Sequence, residues 1–303
     1  MVVLEDVDVV VAEFDDHLAR TRGTSDAVRV NYARYARAFL DTVSIDGAVD
    51  LASLDPAQVV GFVRAAAAQY KPATVRLTVT ALRSFFRFLR ATGRRPDRLE
   101  DAVPAIAYRR QDPPRHLPPA QLARLLSETD TSTAMGLRDR AVLVLVGRLG
   151  LRSAEVTALR LDDLDWRHGT VRVTARKTGR GSVLPLPADV GDALVAYLTR
   201  GRPASSSRRV FVAHRGHPGA PIGRSVVEDA VRRAVDRTGI DAPWGGANLL
   251  RHSLATSLLA HGSSLIEIAD LFGHRSLQTT AIYATVDRDA LRRAALPWPG
   301  ARP

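Results

Sequence analysis

The 303-residue chain has no cysteine, which excludes disulfide cross-links, thiolate nucleophiles and cysteine-ligated zinc or iron–sulfur centres. It also lacks any run that approaches the roughly 18 apolar residues of a membrane span. Residues 1–11 are acidic, unlike a secretory signal peptide. We therefore expect a soluble protein that acts in the cytoplasm and has no membrane partner.

Lysine is almost absent as well. Of the 43 basic residues only Lys71 and Lys177 are lysines, and all the others are arginines. Because lysine and arginine are not interchangeable in chemistry, the positions of these rare residues are informative.

The net charge of +11 is distributed unevenly along the chain. Residues 1–59 carry 5 basic and 11 acidic residues, whereas residues 60–105 carry 9 basic and 3 acidic residues. Residues 106–303 carry 29 basic and 18 acidic residues. A basic field over the last two thirds of the chain favours a polyanionic partner, most simply nucleic acid.

Apolar residues recur at three- and four-residue spacing through the first part of the chain, which predicts helices over 10–20, 26–43, 55–69 and 72–91. The fourth helix has apolar residues on one side and several arginines elsewhere. These arginines either form an ordinary solvated face or lie along a phosphate backbone.

Residues 103–118 contain four prolines and little periodicity, which is typical of a linker. We therefore expect a helical domain over 1–102 and a second, mainly helical domain over 119–303. In the second domain the pattern predicts strands 170–174 and 182–186, joined by a glycine-containing turn that holds Lys177. Helices are predicted over 119–127, 136–149, 188–199, 221–238, 248–260, 264–271, 276–284 and 287–295.

Four segments of the second domain carry residues suited to phosphate chemistry. Gly150 forms a turn before a helix with Arg152 in its first turn, and an arginine at a helix N-terminus strengthens an anion site. Lys177 lies at the hairpin tip. Asn248 and Arg251 are three residues apart, so both project from one helical face. The last segment is Leu-Phe-Gly-His, 271–274, followed nine residues later by Tyr283.

In this order and spacing the segments resemble the tyrosine recombinase (phage integrase) family. The stretches LRHSLAT, residues 250–256, and LFGH, residues 271–274, carry the resemblance, which covers most of the chain. The two-domain layout is most similar to the Xer type. The resemblance implies a mainly α fold with a SAM-like core-binding domain over 1–102. It also implies a catalytic domain with a small antiparallel sheet. The C-terminal helix of this domain, 287–295, either docks on a neighbouring protomer, as in the family, or packs on its own domain.

The resemblance also assigns roles to individual residues. Arg152 and Arg251 match the two catalytic arginines and Lys177 matches the hairpin lysine. His274 matches the later His or Trp position, and Tyr283 matches the nucleophile. The implied activity is site-specific cleavage and rejoining of double-stranded DNA through a 3′-phosphotyrosyl bond, as in integration or dimer resolution.

Elementary chemistry agrees with these roles. Two guanidiniums can neutralise the charge that develops on a phosphate without a metal or cofactor. Cationic neighbours favour the phenolate of Tyr283, and Lys177 can protonate the departing 5′ oxygen. The partners implied are a specific DNA site and either a tetramer of this chain or a paired recombinase. The arginines expected to contact DNA are Arg76, Arg83, Arg87, Arg109 and Arg110.

One position departs from the family pattern, because Asn248 occupies the place where His-x-x-Arg begins. An asparagine can donate a hydrogen bond but cannot accept a proton as a base. It is therefore a neutral donor in a working enzyme, a sign of a chain kept mainly for DNA binding, or a helix N-cap. We do not expect His252 to replace it, because His252 points about a quarter-turn away. A non-catalytic DNA-binding relative and a type IB topoisomerase remain the alternatives.

Overall fold

The computed structural model describes residues 3–22, 24–106, 114–174, 181–242, 246–274 and 276–284. The chain separates into two compact units, Met1–Arg110 and Gln111–Pro303. Each unit is mostly helical and contains a small antiparallel sheet, which confirms the expected fold class. No helix in the described part of the chain combines the length and the apolar character needed to cross a bilayer.

The described part of the first unit contains four α-helices, and aspartate side chains cap the first and the third. The Asp6 side chain accepts hydrogen bonds from the backbone N–H groups of Asp8, at 2.7 Å, and Val9, at 3.2 Å. Asp55 caps the third helix at the N–H of Ala57. The elements are β1 (Leu4–Asp6), α1 (Val7–Arg22), α2 (Asp26–Val43), β2 (Ala48–Asp50), α3 (Pro56–Gln69) and α4 (Pro72–Ala91).

A two-stranded sheet in this unit was not predicted. Strand β1 pairs antiparallel with β2, with Leu4 opposite Asp50 and Asp6 opposite Ala48. Three residues are too few to display the two-residue alternation by which a strand is recognised in sequence.

The core of the first unit is aromatic and forms around α4. Phe85 is fully buried and lies edge-on to Phe14, with ring centroids 5.3 Å apart. Phe39 packs edge-on against Phe86 at 5.5 Å, so α4 also contacts α2. These contacts use the apolar side of α4 that its sequence pattern predicted.

The second unit is built around α6, where Ala141–Val146 are all fully buried. Helix α8 ends in a π-helical turn, Tyr197–Gly201, where a continuous helix was predicted. The predicted helix 287–295 lies outside the described residues. The elements are α5 (Pro119–Ser127), α6 (Ala134–Leu149), α7 (Ser153–Ala158), β3 (Leu164–Asp165), β4 (Thr170–Val173), β5 (Ser182–Pro185), α8 (Ala188–Ala196), α9 (Arg224–Thr238), α10 (Gly246–Ala260), α11 (Leu265–Phe272) and α12 (Leu277–Ala284).

The predicted strand pair is present in this unit. Strand β4 pairs antiparallel with β5, with Val171 opposite Leu184 and Val173 opposite Ser182. Strand β3 adds to the other edge of β4. The turn between β4 and β5, residues 175–180 with Lys177, lies outside the described residues.

Replacing Phe85 by alanine tests the aromatic core. We expect Phe85→Ala to lower the free energy of unfolding by about 3–5 kcal/mol, because it leaves a cavity among packed rings. Leu77→Ala is the matched control on the same helix, where Leu77 is 49% exposed, and it should cost less than about 0.5 kcal/mol. Urea unfolding measures both changes, and equal losses would contradict this description of the core.

Candidate active site

Arg152 lies at the junction between α6 and α7. Gly150 ends α6 in the left-handed region, with φ +64°, and α7 begins at Ser153. Arg152 is therefore the N-cap residue and not, as predicted, a residue of the first helical turn. Glu155 accepts a hydrogen bond from the backbone N–H of Arg152 at 2.9 Å and from its Nη1 at 2.8 Å. The side chain of Glu155 is 2% exposed and that of Arg152 is 29% exposed, so a buried carboxylate holds a guanidinium that still reaches the surface.

Arg251 projects from α10 into the interior and is 4% exposed. Its Nη1 donates to the backbone carbonyl of Gly150, and its Nη2 donates to the carbonyl of Phe272 at 2.9 Å. The guanidinium carbon also lies 4.0 Å from the centroid of the Phe272 ring, a cation–π distance. Backbone carbonyls and an aromatic face thus hold this buried cation.

The carbonyl of Phe272 joins the two predicted arginines. It accepts from Nη1 of Arg152 at 3.2 Å as well as from Nη2 of Arg251. A carbonyl oxygen has two lone pairs and can serve both donors. Phe272 is the last residue of α11, and Gly273 follows it with φ +58°. The end of α11 therefore brings together two arginines that are far apart in sequence.

His274 follows directly and contacts the arginine pair. Its Nε2 lies 3.1 Å from Nη2 of Arg251, and its Nδ1 lies 2.7 Å from Oγ1 of Thr280. Since a guanidinium only donates, Nε2 accepts, and the ring proton is on Nδ1. In this state His274 is therefore a partner of Arg251.

Tyr283 lies in α12 and is 1% exposed, in a cluster with Ala255, Ile268 and Phe272. Burial raises the pKa of the Tyr283 phenol, while the charges of Arg251 and Arg152 act in the opposite direction. The two arginines favour the phenolate, as expected, but burial outweighs them, so the net direction is a raised pKa.

His252 contacts the Tyr283 hydroxyl, which sequence reasoning missed. Its Nδ1 lies 2.8 Å from Oη of Tyr283, and the two ring centroids are 5.5 Å apart. The expected quarter-turn away from Arg251 directs His252 towards α12, where Tyr283 lies. The sequence gives an angle around α10, but it does not reveal which helix packs on that side.

Asn248 and Lys177 complete the set of catalytic residues predicted from the sequence. Asn248 lies in the first turn of α10 and is exposed. Its interpretation as an N-cap is wrong, because α10 already begins at Gly246. Lys177 lies outside the described residues, so its role stays a prediction.

Glu228 of α9 joins the two helices that carry the arginines, and no sequence pattern indicated it. One carboxylate oxygen accepts from the Ser153 hydroxyl at 2.6 Å, and the other accepts from the backbone N–H of Ala247 at 2.7 Å. A Cβ on Gly246 would collide with this carboxylate in its present position, and Gly246 has a φ of +54°, so a glycine suits this position. Glu228 thereby fixes the N-terminal turns of α7 and α10.

The electrostatics of the site suit a phosphate. Two guanidiniums and an imidazole converge, and the nearby carboxylates of Glu155 and Glu228 are occupied by protein donors. Within the described ranges, no three histidine or carboxylate side chains gather as metal ligands would.

The arginines of α4 are placed differently from one another. Arg83 donates to the carbonyl of Val103 at 2.9 Å, which ties down the chain that follows α4. Arg87 is exposed and Arg76 is half-buried. Arg109 and Arg110 lie outside the described residues. Contact of any of these side chains with DNA stays a prediction.

Comparison with known proteins adds the following findings. Residues 115–289 match the phage integrase family, and residues 11–93 match the phage integrase N-terminal SAM-like domain. A putative integrase/recombinase of Sinorhizobium fredii, y4rA, is 44% identical over 96% of this chain and 71% of its own length. Tyrosine recombinase XerD of Listeria monocytogenes serotype 4b is 31% identical over 93% of this chain and 95% of its own.

Solved structures share the fold. The XerH site-specific recombinase bound to its difH substrate, in a pre-cleavage complex, aligns with a TM-score of 0.71 at 22% identity and covers 95% of this chain and 84% of its own. A lambda integrase dimer bound to a COC′ core site aligns with a TM-score of 0.70 at 17% identity, over 91% of this chain and 94% of its own.

Gly150→Ala tests the packing that positions the arginine pair. A Cβ there would lie 2.4 Å from Cε1 of Phe272, whereas a Cβ at Gly239, which has a similar φ of +60°, meets nothing within 4 Å. We expect Gly239→Ala to cost about 1–2 kcal/mol of backbone strain. Gly150→Ala should cost about 1–3 kcal/mol more, from overpacking. Urea unfolding compares the two, and equal losses would mean that Phe272 is not held against Gly150.

Glu228→Gln tests the link between α7 and α10. The amide keeps the size of the side chain but removes the charge that two donors share, so we expect a loss of about 1–3 kcal/mol in the free energy of unfolding. Asp229→Asn is the control at the next position, where Asp229 pairs with Arg232 at the surface and should contribute less than about 1 kcal/mol. Thermal or urea unfolding measures both changes. An unchanged free energy of unfolding in Glu228→Gln would contradict the link between α7 and α10.

Proposed function

The chain belongs to the phage integrase family, and on that premise we propose that it cleaves and rejoins duplex DNA through a covalent bond between Tyr283 and a 3′ phosphate. Members of this family are DNA breaking–rejoining enzymes that carry out site-specific recombination. The proposal assigns that chemistry to named residues of this chain.

The observation that carries the proposal is the convergence of Arg152 and Arg251 on the carbonyl of Phe272. Two guanidiniums fixed side by side can fork onto the non-bridging oxygens of a phosphodiester, where charge develops during in-line attack. The Tyr283 hydroxyl is hydrogen-bonded to the residue next to Arg251. The proposed nucleophile and the phosphate clamp thus belong to one cluster.

The reaction needs no external energy. Oη of Tyr283 gives up its proton to a nearby acceptor and attacks phosphorus. The bond from phosphorus to the 5′ oxygen breaks, and Lys177 supplies the proton that this oxygen takes up. The phosphotyrosine bond conserves the energy of the broken bond. A 5′ hydroxyl from another strand can then attack it, release Tyr283 and return a proton to Lys177.

Cleavage requires a local opening around Tyr283. A phosphodiester cannot reach a hydroxyl on a side chain that is 1% exposed. Binding of DNA must therefore displace residues that cover Tyr283, so that the phenol meets the phosphate held by the arginines.

The proposed partner is a specific double-stranded DNA site, bound by several protomers. A lambda integrase tetramer bound to a Holliday junction shares this fold, with a TM-score of 0.70, which supports a tetramer of this chain or a pair with a second recombinase.

We place the core-binding domain at 1–102, the linker at 103–118 and the catalytic domain at 119–303. The α4 arginines contact phosphates, and the reaction takes place in the cytoplasm, where the DNA lies.

Asn248 favours a second candidate function, DNA binding without cleavage. It replaces the histidine of the family pattern with a side chain that cannot accept a proton. In that case the arginine pair would bind a phosphate and no covalent bond would form.

A nicked suicide duplex that carries a site selected from a random pool separates the two candidates. We expect the wild-type chain to form an adduct that survives denaturation, and Tyr283→Phe to bind the same DNA without forming it. Tyr70→Phe removes a hydroxyl from an exposed tyrosine of the first unit and should leave the adduct unchanged.

Binding without any adduct from the wild-type chain would favour the DNA-binding candidate. An adduct formed by Tyr283→Phe would exclude this nucleophile. Relaxation of supercoiled DNA with no site preference would instead indicate a type IB topoisomerase.

A further inference from the structure

We propose that His252 is the catalytic residue that takes the proton from Tyr283 as its oxygen attacks the phosphate. The inference rests on the proposed function, because it assigns a role in the reaction of Tyr283. It also explains how a chain with Asn248 in the position of the family histidine can still cleave DNA.

The geometry meets the requirement for a general base. Nδ1 of His252 is 2.8 Å from Oη of Tyr283, within the range of about 2.6–3.2 Å over which a positioned base can remove a proton. His252 is half-buried on α10, and the two rings pack with an interplanar angle of 55°. Because the two residues come from different helices, this contact exists only in the folded unit.

The surroundings of His252 keep its ring able to accept a proton. Burial is the main cause that lowers the pKa of His252, and electrostatic interactions with Arg251 on α10 and His116 before α5 lower it further. Together with Tyr283 on α12, these are the titratable groups that the described residues place against it. The imidazole is therefore neutral near pH 7, while burial raises the pKa of Tyr283. Because burial disfavours the ionised phenolate, Tyr283 needs a proton acceptor at hydrogen-bond distance.

Other side chains of the site are less suited to the task. Asn248 cannot take up a proton. The ring nitrogens of His274 face Arg251 and Thr280. Arg152 and Arg251 remain protonated at any pH the protein tolerates, and Lys177 serves the departing oxygen in the proposed reaction. Among the described side chains named above, His252 contacts Oη and, in the tautomer with its proton on Nε2, offers it an electron pair.

The proton movements balance across the cycle. In cleavage, the bond from Oη to phosphorus forms as the bond from phosphorus to the 5′ oxygen breaks. The phenol proton moves to Nδ1 of His252, and Lys177 gives a proton to the 5′ oxygen. In rejoining, a 5′ hydroxyl attacks and returns its proton to Lys177, and the imidazolium of His252 returns its proton to Tyr283. Nothing else is consumed.

Replacing His252 with asparagine separates proton transfer from positioning. The amide oxygen of His252→Asn can accept a hydrogen bond near the place of Nδ1, but it cannot take up a proton. Single-turnover cleavage of the suicide duplex is measured from about pH 4.5 to about pH 9, because the pKa of His252 lies below the ordinary value for histidine of about 6.5. We expect the wild-type rate to rise as His252 loses its proton and then to level off.

For His252→Asn at neutral pH we expect a rate about 100-fold lower, the contribution of a general base. Its rate should rise with hydroxide concentration and not level off, because the phenol must then lose its proton to solvent. Added imidazole should restore part of the rate to His252→Ala, which leaves space for the missing ring.

His261→Asn is the matched control. His261 lies just after α10, and its Nδ1 contacts the backbone carbonyl of Ser257 at the surface. This variant should keep the wild-type rate and pH profile, and all variants should keep the melting temperature and the DNA affinity of the wild-type chain.

Two results would overturn the inference. One is a His252→Asn chain with the wild-type rate and profile. The other is a loss of rate that neither pH nor imidazole changes, which would mean that His252 only packs against Tyr283. Failure of the proposed function is distinct from both, since the wild-type chain would then form no adduct through Tyr283, and the role of His252 would fall with it.

Discussion

The carbonyl oxygen of Phe272 accepts hydrogen bonds from both Arg152 and Arg251, and the arrangement of the site depends on it. Two guanidiniums at this separation repel each other, and the repulsion is strongest away from water. The partial negative charge of the carbonyl and the buried carboxylate of Glu155 offset it. A phosphate that enters the site would therefore meet two cations already in place, which lowers the reorganisation required for catalysis.

Small features elsewhere in the fold keep that carbonyl in position. Helix α6 ends at a glycine whose missing Cβ leaves room for the Phe272 ring. The same ring lies 4.0 Å below the guanidinium of Arg251 and edge-on to Tyr283 at 6.3 Å. Glu228 joins the first turns of α7 and α10 through its hydrogen bonds with Ser153 and the N–H of Ala247. The Phe272 ring thus contacts both Arg251 of the arginine pair and Tyr283.

Local signals in the sequence predicted much of this organisation. The bounds of α2, α4 and α5 match the predicted ranges. Prolines mark the starts of α4 and α5, and the polar run of residues 24–26 marks the start of α2. The order of the arginines, His274 and Tyr283 predicted which residues to examine, and the fold brings the described ones together.

What the sequence did not predict depends on contacts between distant segments. The carbonyl of Phe272 is a backbone group, so no pattern of side chains in the sequence could indicate its role. Glu228 accepts a hydrogen bond from Ser153, which lies 75 residues away in the sequence. His252 was assigned away from the site because its angle around α10 says nothing of the helix that packs there. The raised pKa of Tyr283 follows from burial in the folded unit. The sequence predicted only the nearby arginines, which lower this pKa.

The central claim is that Tyr283 forms the covalent bond to DNA beside the arginine pair. The most direct test is to trap the adduct on a suicide duplex, digest it with nuclease and trypsin, and sequence the modified peptide by mass spectrometry. The account predicts a nucleotide linked through its 3′ phosphate to Tyr283 in the tryptic peptide of residues 276–288. A nucleotide on any other residue, or a peptide recovered only in its unmodified form from DNA-bound protein, would contradict it.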